Sequence, residues 1–146
     1  MELDNLVTQN NAEAGVWTQV ELYGKKQDFE LNILGNDSDA VQKFNREQVK
    51  KMRRNAGKEP DDETMDALLE TSDEAVLVRI AGIRGLTFDK EHKEITGQES
   101  VTLEGTALQN DQKSYRLLVK KIPAVKDFVL KISGDRANFL GGPSKI

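Results

Sequence analysis

The spacing of apolar residues along the chain changes near Ser38, and this change is the strongest constraint on the fold. Before it, residues 16–22 place three of their apolar side chains on one face, and residues 29–34 alternate apolar with polar side chains. A period of two is typical of half-buried strands, and the polar residues 23–28 between them predict a turn, so the two segments form a β-hairpin. After Ser38 the apolar residues recur every three or four positions, as on one face of a helix. The sequence therefore predicts an α+β fold in which an N-terminal β-hairpin packs on a mainly helical body of at least four helices.

The middle of the chain predicts two of these helices. The first spans about residues 39–56, with Asp37 or Ser38 as its N-terminal cap, because a short side-chain oxygen there accepts from the N–H groups of the first turn. The second begins at Pro60, which has no N–H and therefore suits a first turn. Their apolar stripes are, in chain order, Val41, Phe44, Val49 and Met52, then Met65, Leu68 and Leu69.

The next stretch leaves two assignments open, and the C-terminal third predicts two more helices. Residues 75–81 alternate like a strand and also recur like a helix, and we favour the helix. Residues 94–96 and 100–103 are either short strands or parts of an ordered loop. Further on, two helices lie on either side of Pro123, and the first of them is capped by Asn110 or Asp111. Their apolar faces are Tyr115, Leu118 and Val119, then Val125, Phe128, Val129 and Ile132.

The chain has 146 residues, a length that suits one domain with its own hydrophobic core. Residues 1–14 are predicted to be a flexible N-terminal arm, residues 15–140 a single α+β domain, and residues 141–146 a flexible C-terminal tail. The N-terminus has no secretory signal, and the longest apolar run, residues 75–78, is too short to cross a membrane. A soluble, cytoplasmic protein is therefore the expectation.

Cysteine and histidine, two residue types that often carry catalysis or bind metals, are absent or scarce in the chain. It contains no Cys, which excludes a thiol nucleophile, a disulfide and any Cys-ligated zinc or iron–sulfur site. The single His92 lies among charged residues and is expected on the surface. The carboxylates of Asp61, Asp62 and Glu63 are interpreted as the acidic first turn of a helix, since they lack the spacing of a calcium loop. No phosphate-binding loop, dinucleotide fingerprint or nucleophile elbow occurs. The sequence thus predicts a protein that is not an enzyme and has no cofactor.

Charges are strongly segregated in the middle of the chain. Residues 43–58 carry seven basic side chains and one acidic one, and residues 59–74 carry eight acidic side chains and no basic one. We expect the two segments to neutralise each other as antiparallel helices joined by weak surface ion pairs. The alternative is a basic face, at Lys50, Arg53 and Arg54, that binds an acidic partner or nucleic acid. Nucleic acid is the less favoured of these two, because the basic residues are not interleaved with aromatic side chains for base stacking.

Phe139 and Leu140 lie outside the periodic helices and next to a glycine-containing tail. Two large apolar side chains in such a place either fold back onto the domain or meet a partner. The sequence leaves both alternatives open.

The C-terminal half carries an ordered series of short motifs. They are a glycine-containing segment at residues 83–89, a helix with Tyr115-Arg116-Leu117-Leu118, the run Ile122-Pro123-Ala124-Val125, and the segment Asp135-Arg136-Ala137-Asn138-Phe139-Leu140. This series, over about residues 75–142, resembles the tail assembly chaperones of long-tailed bacteriophages. In that family a glycine loop, a helix, a hydrophobic-Pro-x-hydrophobic run, a second helix and an Arg-x-Asn-Phe segment lead into a short tail. The charged middle, residues 43–74, departs from the family pattern.

The resemblance implies a non-enzymatic helper of virion assembly. Such chaperones bind the tape measure protein, a very long and mostly helical chain, and keep it soluble in the host cytoplasm while tail-tube subunits polymerise around it. Members are often also made as a longer form by ribosomal frameshifting, which here would fall near residues 141–146. The expected partner is the tape measure protein, and the major tail tube protein, the longer form and further copies of the chain are additional candidates. Contact with a membrane is not expected.

The residues proposed for partner contact come from the same region. They are Tyr115, Leu118, Phe128, Asn138, Phe139 and Leu140. A small acidic domain with an apolar groove suits the task, because a groove masks the apolar stripe of an amphipathic chain while charge keeps the complex dispersed. The alternative is a small structural virion protein, such as a tail or head–tail connector subunit. Such a subunit stays in the finished particle, whereas a chaperone does not.

Overall fold

The computed structural model describes residues 3, 9–54, 71–88, 94–95 and 101–140. Its helices are α1 (Gln9–Ala14), α2 (Asp39–Arg54), α3 (71–77), α4 (Gln112–Lys121) and α5 (Ala124–Gly134), followed by a 3₁₀ helix at Arg136–Phe139. Its strands are β1 (Val16–Leu22), β2 (Lys25–Ile33), β3 (Ile80–Gly85), β4 (Thr87–Phe88), β5 (Glu94–Ile95), β6 (Val101–Leu103) and β7 (Thr106–Leu108). The N-terminal strands β1 and β2 precede the helical body, and the predicted α+β fold is confirmed.

Strands β1 and β2 form the predicted hairpin, but its turn is shorter than predicted. The two strands pair antiparallel, with Leu22 opposite Lys25. Only Tyr23 and Gly24 form the turn, and both have positive φ, 56° and 76°. Positive φ at both central residues is typical of the two-residue type I′ turn, whose twist matches that of the strands. The prediction of a turn over residues 23–28 is therefore wrong, because a turn this tight lets residues 25–28 join the strand ladder despite their polarity.

Strand β3 extends the hairpin into a three-stranded antiparallel sheet in the order β1-β2-β3. At its centre, Leu31 lies opposite Thr18 on one side and opposite Ile83 on the other. Leu31 and Ile83 are both buried. One face of the sheet therefore contributes to the core.

Residues 75–81 contain the end of one element and the start of another. Helix α3 continues through residue 77, and β3 starts at Ile80. Val76, Leu77 and Ile80 are all buried. The end of the helix and the start of the strand thus both contribute buried apolar residues to this short stretch, and for this reason its spacing fits both a helix and a strand. The prediction of a helix over residues 75–81 is therefore correct for residues 75–77. It is wrong for residues 80 and 81, which belong to β3.

Two short hairpins follow β3. Strand β4 pairs with β5, and β6 pairs with β7. The stretches that the sequence left open thus contain strands, at 94–95 and at 101–103. Glu104 and Gly105 form the turn between β6 and β7, with positive φ of 49° and 80°.

The hydrophobic core lies between the three-stranded sheet and the helices α3, α4 and α5. Helix α5 contacts both strands of the N-terminal hairpin and also contacts α4. Val125 and Val129 of α5 are fully buried, whereas Phe128 and Ile132 are half-buried at the edge of the core. The buried cluster consists of Val20, Leu22, Leu31, Ile33, Val76, Leu77, Ile80, Ile83, Leu108, Tyr115, Leu118, Val119, Val125 and Val129.

Two predicted helix caps are present. The backbone N–H of Val41 donates to Ser38 Oγ at 3.3 Å, so Ser38 caps α2. The backbone N–H of Ser114 donates to Asp111 Oδ1 at 2.8 Å, so Asp111 caps α4. This hydrogen bond holds the pKa of Asp111 below its ordinary value.

Helix α2 forms as predicted, but its apolar stripe leaves the core after the first turn. Val41 is fully buried, Phe44 is half-buried, and Val49 and Met52 are exposed. The expectation that Phe44 belongs to the core is therefore only partly met: within the described residues, full burial on α2 is confined to its first turn. The predicted helix after Pro60, its stripe Met65, Leu68 and Leu69, the carboxylates of Asp61, Asp62 and Glu63, and His92 lie outside the described residues.

Helix α1 occupies the end of the predicted flexible arm. Ala12 is fully buried, and the backbone N–H of Gly35 donates to the Ala12 carbonyl at 3.0 Å. Residues 9–14 therefore belong to the folded domain, and the arm predicted over residues 1–14 is wrong for them. No apolar periodicity marks this segment, because so short a helix is stabilised by tertiary contacts rather than by an apolar stripe. Apart from Leu3, the rest of the predicted arm and the predicted tail at residues 141–146 lie outside the described residues.

Candidate protein-binding groove

The tip of the β1–β2 hairpin and helix α5 form the two sides of an open groove of about 500 Å³. Its lining residues are Glu21, Leu22, Tyr23 and Gly24 from the hairpin, and Ala124, Asp127, Phe128, Lys131 and Ile132 from α5. Glu21, Asp127 and Lys131 are exposed, so charges surround a lining whose other side chains are mostly apolar. A groove of this size and character suits apolar side chains of a partner.

One row of α5 supplies the apolar side of the groove. Ala124, Phe128 and Ile132 follow one another at intervals of four residues, which places them along one face of the helix. Phe128 and Ile132 pack against the core with part of their surface and leave the rest open. Because Val125 and Val129 on the adjacent face are fully buried, the helix is held firmly and the row has a fixed position.

Tyr23 supplies an aromatic ring at the hairpin side of the groove. Its φ of 56° is left-handed, a backbone conformation that costs a residue with a Cβ roughly 1–2 kcal/mol. Its side chain is 84% exposed, so the ring adds little to the stability of the fold. Asn or Gly is the usual occupant of such a position. The stability of the fold therefore does not explain an aromatic side chain at this position.

Sequence reasoning did not identify Tyr23 as a candidate. A turn predicted over residues 23–28 makes Tyr23 one of several loop residues. The usable signal is the pair Tyr23-Gly24, since a two-residue hairpin turn ending in Gly is typical of the type I′ geometry. Of the six residues predicted for partner contact, Phe128 is the one that lines the groove.

Three other predicted contact residues are buried in the chain's own core. Tyr115, Leu118 and Phe139 are between 1% and 3% exposed, so their assignment to a partner-binding surface is corrected. Tyr115 and Leu118 lie on the face of α4 that packs into the main cluster. Burial also raises the pKa of the Tyr115 hydroxyl above its ordinary value.

The C-terminal segment folds back onto the domain, which is one of the two alternatives that the sequence left open. Phe139 is buried, and Leu140 is partly exposed. The Asn138 side-chain amide donates to the carbonyl of Ile132 at 3.1 Å. Asn138 and Leu140 are not among the residues that line the groove.

The predicted basic face is exposed on α2. Lys50, Arg53 and Arg54 are all on the surface, and in the described part of the chain they form no ion pair. Their expected neutralisation by the acidic segment stays a prediction, because most of residues 59–74 lies outside the described residues. A second cleft, of about 430 Å³, lies between α2, α3 and α4 and includes Phe44 in its lining.

Two charged side chains among the described residues, Glu30 and Arg79, are buried, and both have polar partners. Glu30 pairs with Arg84, whose guanidinium carbon lies 4.1 Å from the centroid of the Trp17 ring. Arg79 donates to Asn36 Oδ1 at 3.1 Å and to the carbonyl of Ala75, and its burial lowers its pKa. Among the described residues, no group of three or more His, Asp or Glu side chains is placed to hold a metal ion. Within the same residues, no helix is both long and apolar enough to cross a membrane.

Comparison of the chain with protein family models, with curated proteins and with solved structures gave no match. A functional proposal therefore depends on the groove and on the motif series of the C-terminal half.

Proposed function

We propose that the protein is a non-enzymatic tail assembly chaperone of a long-tailed phage, and that it binds the tape measure protein through the groove between Tyr23 and α5. The observation that carries the proposal is the exposed, left-handed Tyr23 beside the apolar row of α5. The likeness of the C-terminal motifs to the chaperone family supports the choice of client. The host cytoplasm is the compartment in which this client is made.

The groove fits the physical problem that such a client presents. A long amphipathic helix exposes an apolar stripe until its assembly partners arrive, and a stripe of this kind binds in a groove through side chains three or four residues apart. The row of α5 at residues 124, 128 and 132 has the same spacing. One groove of this size gives a weak contact, but many copies along one client act together.

The buried motif residues pack in the core behind the two elements that form the groove. Tyr115 and Leu118 of α4 belong to the same buried cluster as Val125 and Val129 of α5 and as Leu22 of the hairpin. The motifs thus hold α5 against β1, and this packing sets the distance between the two sides of the groove. Their proposed role is to position the binding surface rather than to touch the client.

Co-expression with a tape measure protein tests the proposal. The client alone is expected to be insoluble, and the wild-type chain is expected to keep it in solution as a complex with many copies. Tyr23→Ala is expected to weaken this effect, because it removes the exposed ring and leaves the core untouched. Leu130→Ala is the matched control, since Leu130 is an exposed apolar residue of α5 that does not line the groove.

A second measurement separates the chaperone from a structural virion subunit. Finished tails purified away from free protein are expected to contain no stoichiometric amount of this chain. A chain that never keeps the client soluble and is present at a fixed number of copies per tail contradicts the chaperone function and supports the structural one.

A further inference from the structure

Helix α2 and the second cleft form an exposed apolar surface that is separate from the groove. The cleft lies between α2, α3 and α4, and its apolar lining consists of Leu34, Phe44, Leu77, Val78 and Ile80. Beyond the cleft, α2 continues with Val49, which is 47% exposed, and Met52, which is 71% exposed. At about 100° per residue, Phe44, Val49 and Met52 lie on the same half of the helix. These three side chains and the cleft are therefore one continuous surface, the α2 surface.

Basic side chains border the α2 surface. Lys51 lies two turns after Phe44, and Arg53 lies one turn after Val49. Neither cation has an ion pair or a side-chain hydrogen bond within the described residues. Over residues 43–54, α2 carries six basic side chains and one acidic side chain, Glu47. The border of the surface on this helix is therefore strongly positive.

The cleft itself adds no free carboxylate to this border. Glu74 is the one acidic side chain among its lining residues. Its carboxylate pairs with the guanidinium group of Arg116, another lining residue, at 3.2 Å. The α2 surface therefore combines an apolar floor with unpaired positive charge beside it.

The hairpin–α5 groove has charges of both signs and does not share this preference. Glu21, Asp127 and Lys131 are among its lining residues. Lys25 and Lys26 lie at the same hairpin tip, and Lys26 is opposite Glu21 in the strand ladder. Because charges of opposite sign lie side by side there, the net charge of a partner has little effect on its binding to the groove.

We propose that the α2 surface binds an amphipathic helix with acidic flanks, contributed by another protein. Apolar side chains three or four residues apart on that helix fill the cleft and pack on Met52 and Val49. Its carboxylates then lie beside Lys51 and Arg53. The apolar floor favours a helix over a nucleic acid, because a phosphate backbone pairs with cations and has no apolar side chain to place in the cleft.

This inference goes beyond the proposed function and uses no residue of the groove. A domain with two separate docking surfaces holds two helices at once. The α2 surface selects its helix by acidic charge, whereas the groove selects by apolar spacing alone.

Fluorescence anisotropy with two labelled synthetic peptides tests the proposal on the full chain. Both peptides are about 20 residues long, which is enough for a stable helix, and carry a stripe of Leu at helical spacing on an Ala background. The acidic probe has Glu beside the stripe, and the basic probe has Lys at the same positions. The wild-type chain is expected to bind the acidic probe at least about tenfold more tightly, and the difference is expected to shrink as salt screens the charges.

Three variants locate the binding site of the acidic probe. Lys51→Glu with Arg53→Glu reverses the border and is expected to weaken binding by about tenfold or more. Lys43→Glu with Arg46→Glu is the matched control, because it replaces the same residue types on the side of α2 away from Phe44 and Met52. It is expected to keep the affinity within about threefold. Tyr23→Ala is expected to bind the acidic probe like the wild-type chain, because Tyr23 lines the groove instead.

Several results would overturn the proposal. Equal affinities of the wild-type chain for the two probes do so, and so do equal losses in the two double variants. Loss of the acidic probe in Tyr23→Ala also overturns it, since the probe then occupies the groove. Duplex DNA that displaces the acidic probe more effectively than unlabelled peptide, at about 0.15 M salt, assigns the border to a nucleic acid instead.

A full chain that binds neither probe overturns the proposal as well. A melting temperature lowered by Met52→Gln then identifies this chain or a further copy of it as the occupant of the α2 surface. A chain that fails these tests and still keeps the client soluble overturns this inference alone and leaves the proposed function standing.

Discussion

Asn11 in the first helix donates a hydrogen bond of 3.1 Å to the backbone carbonyl of Phe139, 128 residues further along the chain. The same amide group donates to the carbonyl of Leu140 at 3.0 Å. A helix of six residues is too short to be stable in water by itself. The contact therefore explains why α1 is helical, and it ties the two ends of the domain together.

Asn11→Ala is expected to lower the free energy of unfolding by about 1 kcal/mol, because the Phe139 carbonyl loses a donor at a partly buried site and the Leu140 carbonyl loses one at an exposed site. Thermal or urea unfolding measures the change. Asn10→Ala is the control, since Asn10 is an exposed neighbour in the same helix and makes the same change in helix propensity. Equal effects of the two substitutions would show that the hydrogen bonds contribute nothing.

Phe139 and Leu140 are expected to respond very differently to substitution by Ala. The Phe139 ring is buried and lies so close to Gly35 that a Cβ on that glycine would be 3.1 Å from the ring. Phe139→Ala is therefore expected to destabilise the domain by about 3–5 kcal/mol through the cavity it leaves. Leu140 is 40% exposed, and Leu140→Ala is expected to cost less than about 1 kcal/mol. Chemical denaturation of the two single variants measures both values, and similar losses for the two would contradict the burial of Phe139.

Local periodicity predicted those elements whose apolar residues face one core. The change from a period of two to a helical period near Ser38 separates the hairpin from α2, and the spacing of Val125, Phe128, Val129 and Ile132 predicts α5. Short side-chain oxygens at helix starts predicted the caps. These signals are local, because each depends on residues within one or two turns of one another.

Contacts between distant parts of the chain were not predictable from such signals. Helix α1 depends on a contact between residues 11 and 139, and no local pattern reports it. The stripe of α2 has helical spacing whether or not a core covers it, so the exposure of Met52 is a property of the assembled domain. The same limit applies to the site. Motif likeness marked Tyr115 and Phe139 as candidates, although tertiary packing buries both and leaves Tyr23 exposed instead.

Tyr23 is expected to show a conflict between stability and binding. Tyr23→Asn is expected to raise the free energy of unfolding by about 1 kcal/mol, because Asn adopts the left-handed conformation more easily. Tyr23→Ala keeps a Cβ in that conformation and removes a largely exposed ring, so its stability is expected to stay close to that of the wild-type chain. Both variants are expected to bind the client less well. Denaturant unfolding and client co-purification measure the two effects. An Asn variant that is neither more stable nor weaker in binding would show that the position carries neither strain nor function.

The contact between α1 and the start of α2 is expected to depend on pH. A hydrogen bond with the Asp39 side chain, together with the negative charge of Asp39, raises the pKa of Glu13 above its ordinary value. The folded chain then keeps a proton on Glu13 over a range in which the unfolded chain has already lost it. This contribution to stability is therefore present below the ordinary pKa of a Glu side chain, and it is lost as pH rises through the raised pKa of the folded state.

Glu13→Gln isolates this effect, because the amide keeps a hydrogen-bonding group beside Asp39 and does not titrate. The melting temperature of the variant relative to the wild-type chain is expected to increase as pH rises from below the ordinary Glu pKa towards neutrality. Glu47→Gln, an exposed carboxylate on α2, is the control and is expected to show no such trend. The lowered pKa of Asp111 acts in the opposite direction, but it is common to all three proteins and cancels in the comparison. A constant difference between Glu13→Gln and the wild-type chain at every pH would show that Glu13 and Asp39 do not interact in the folded protein.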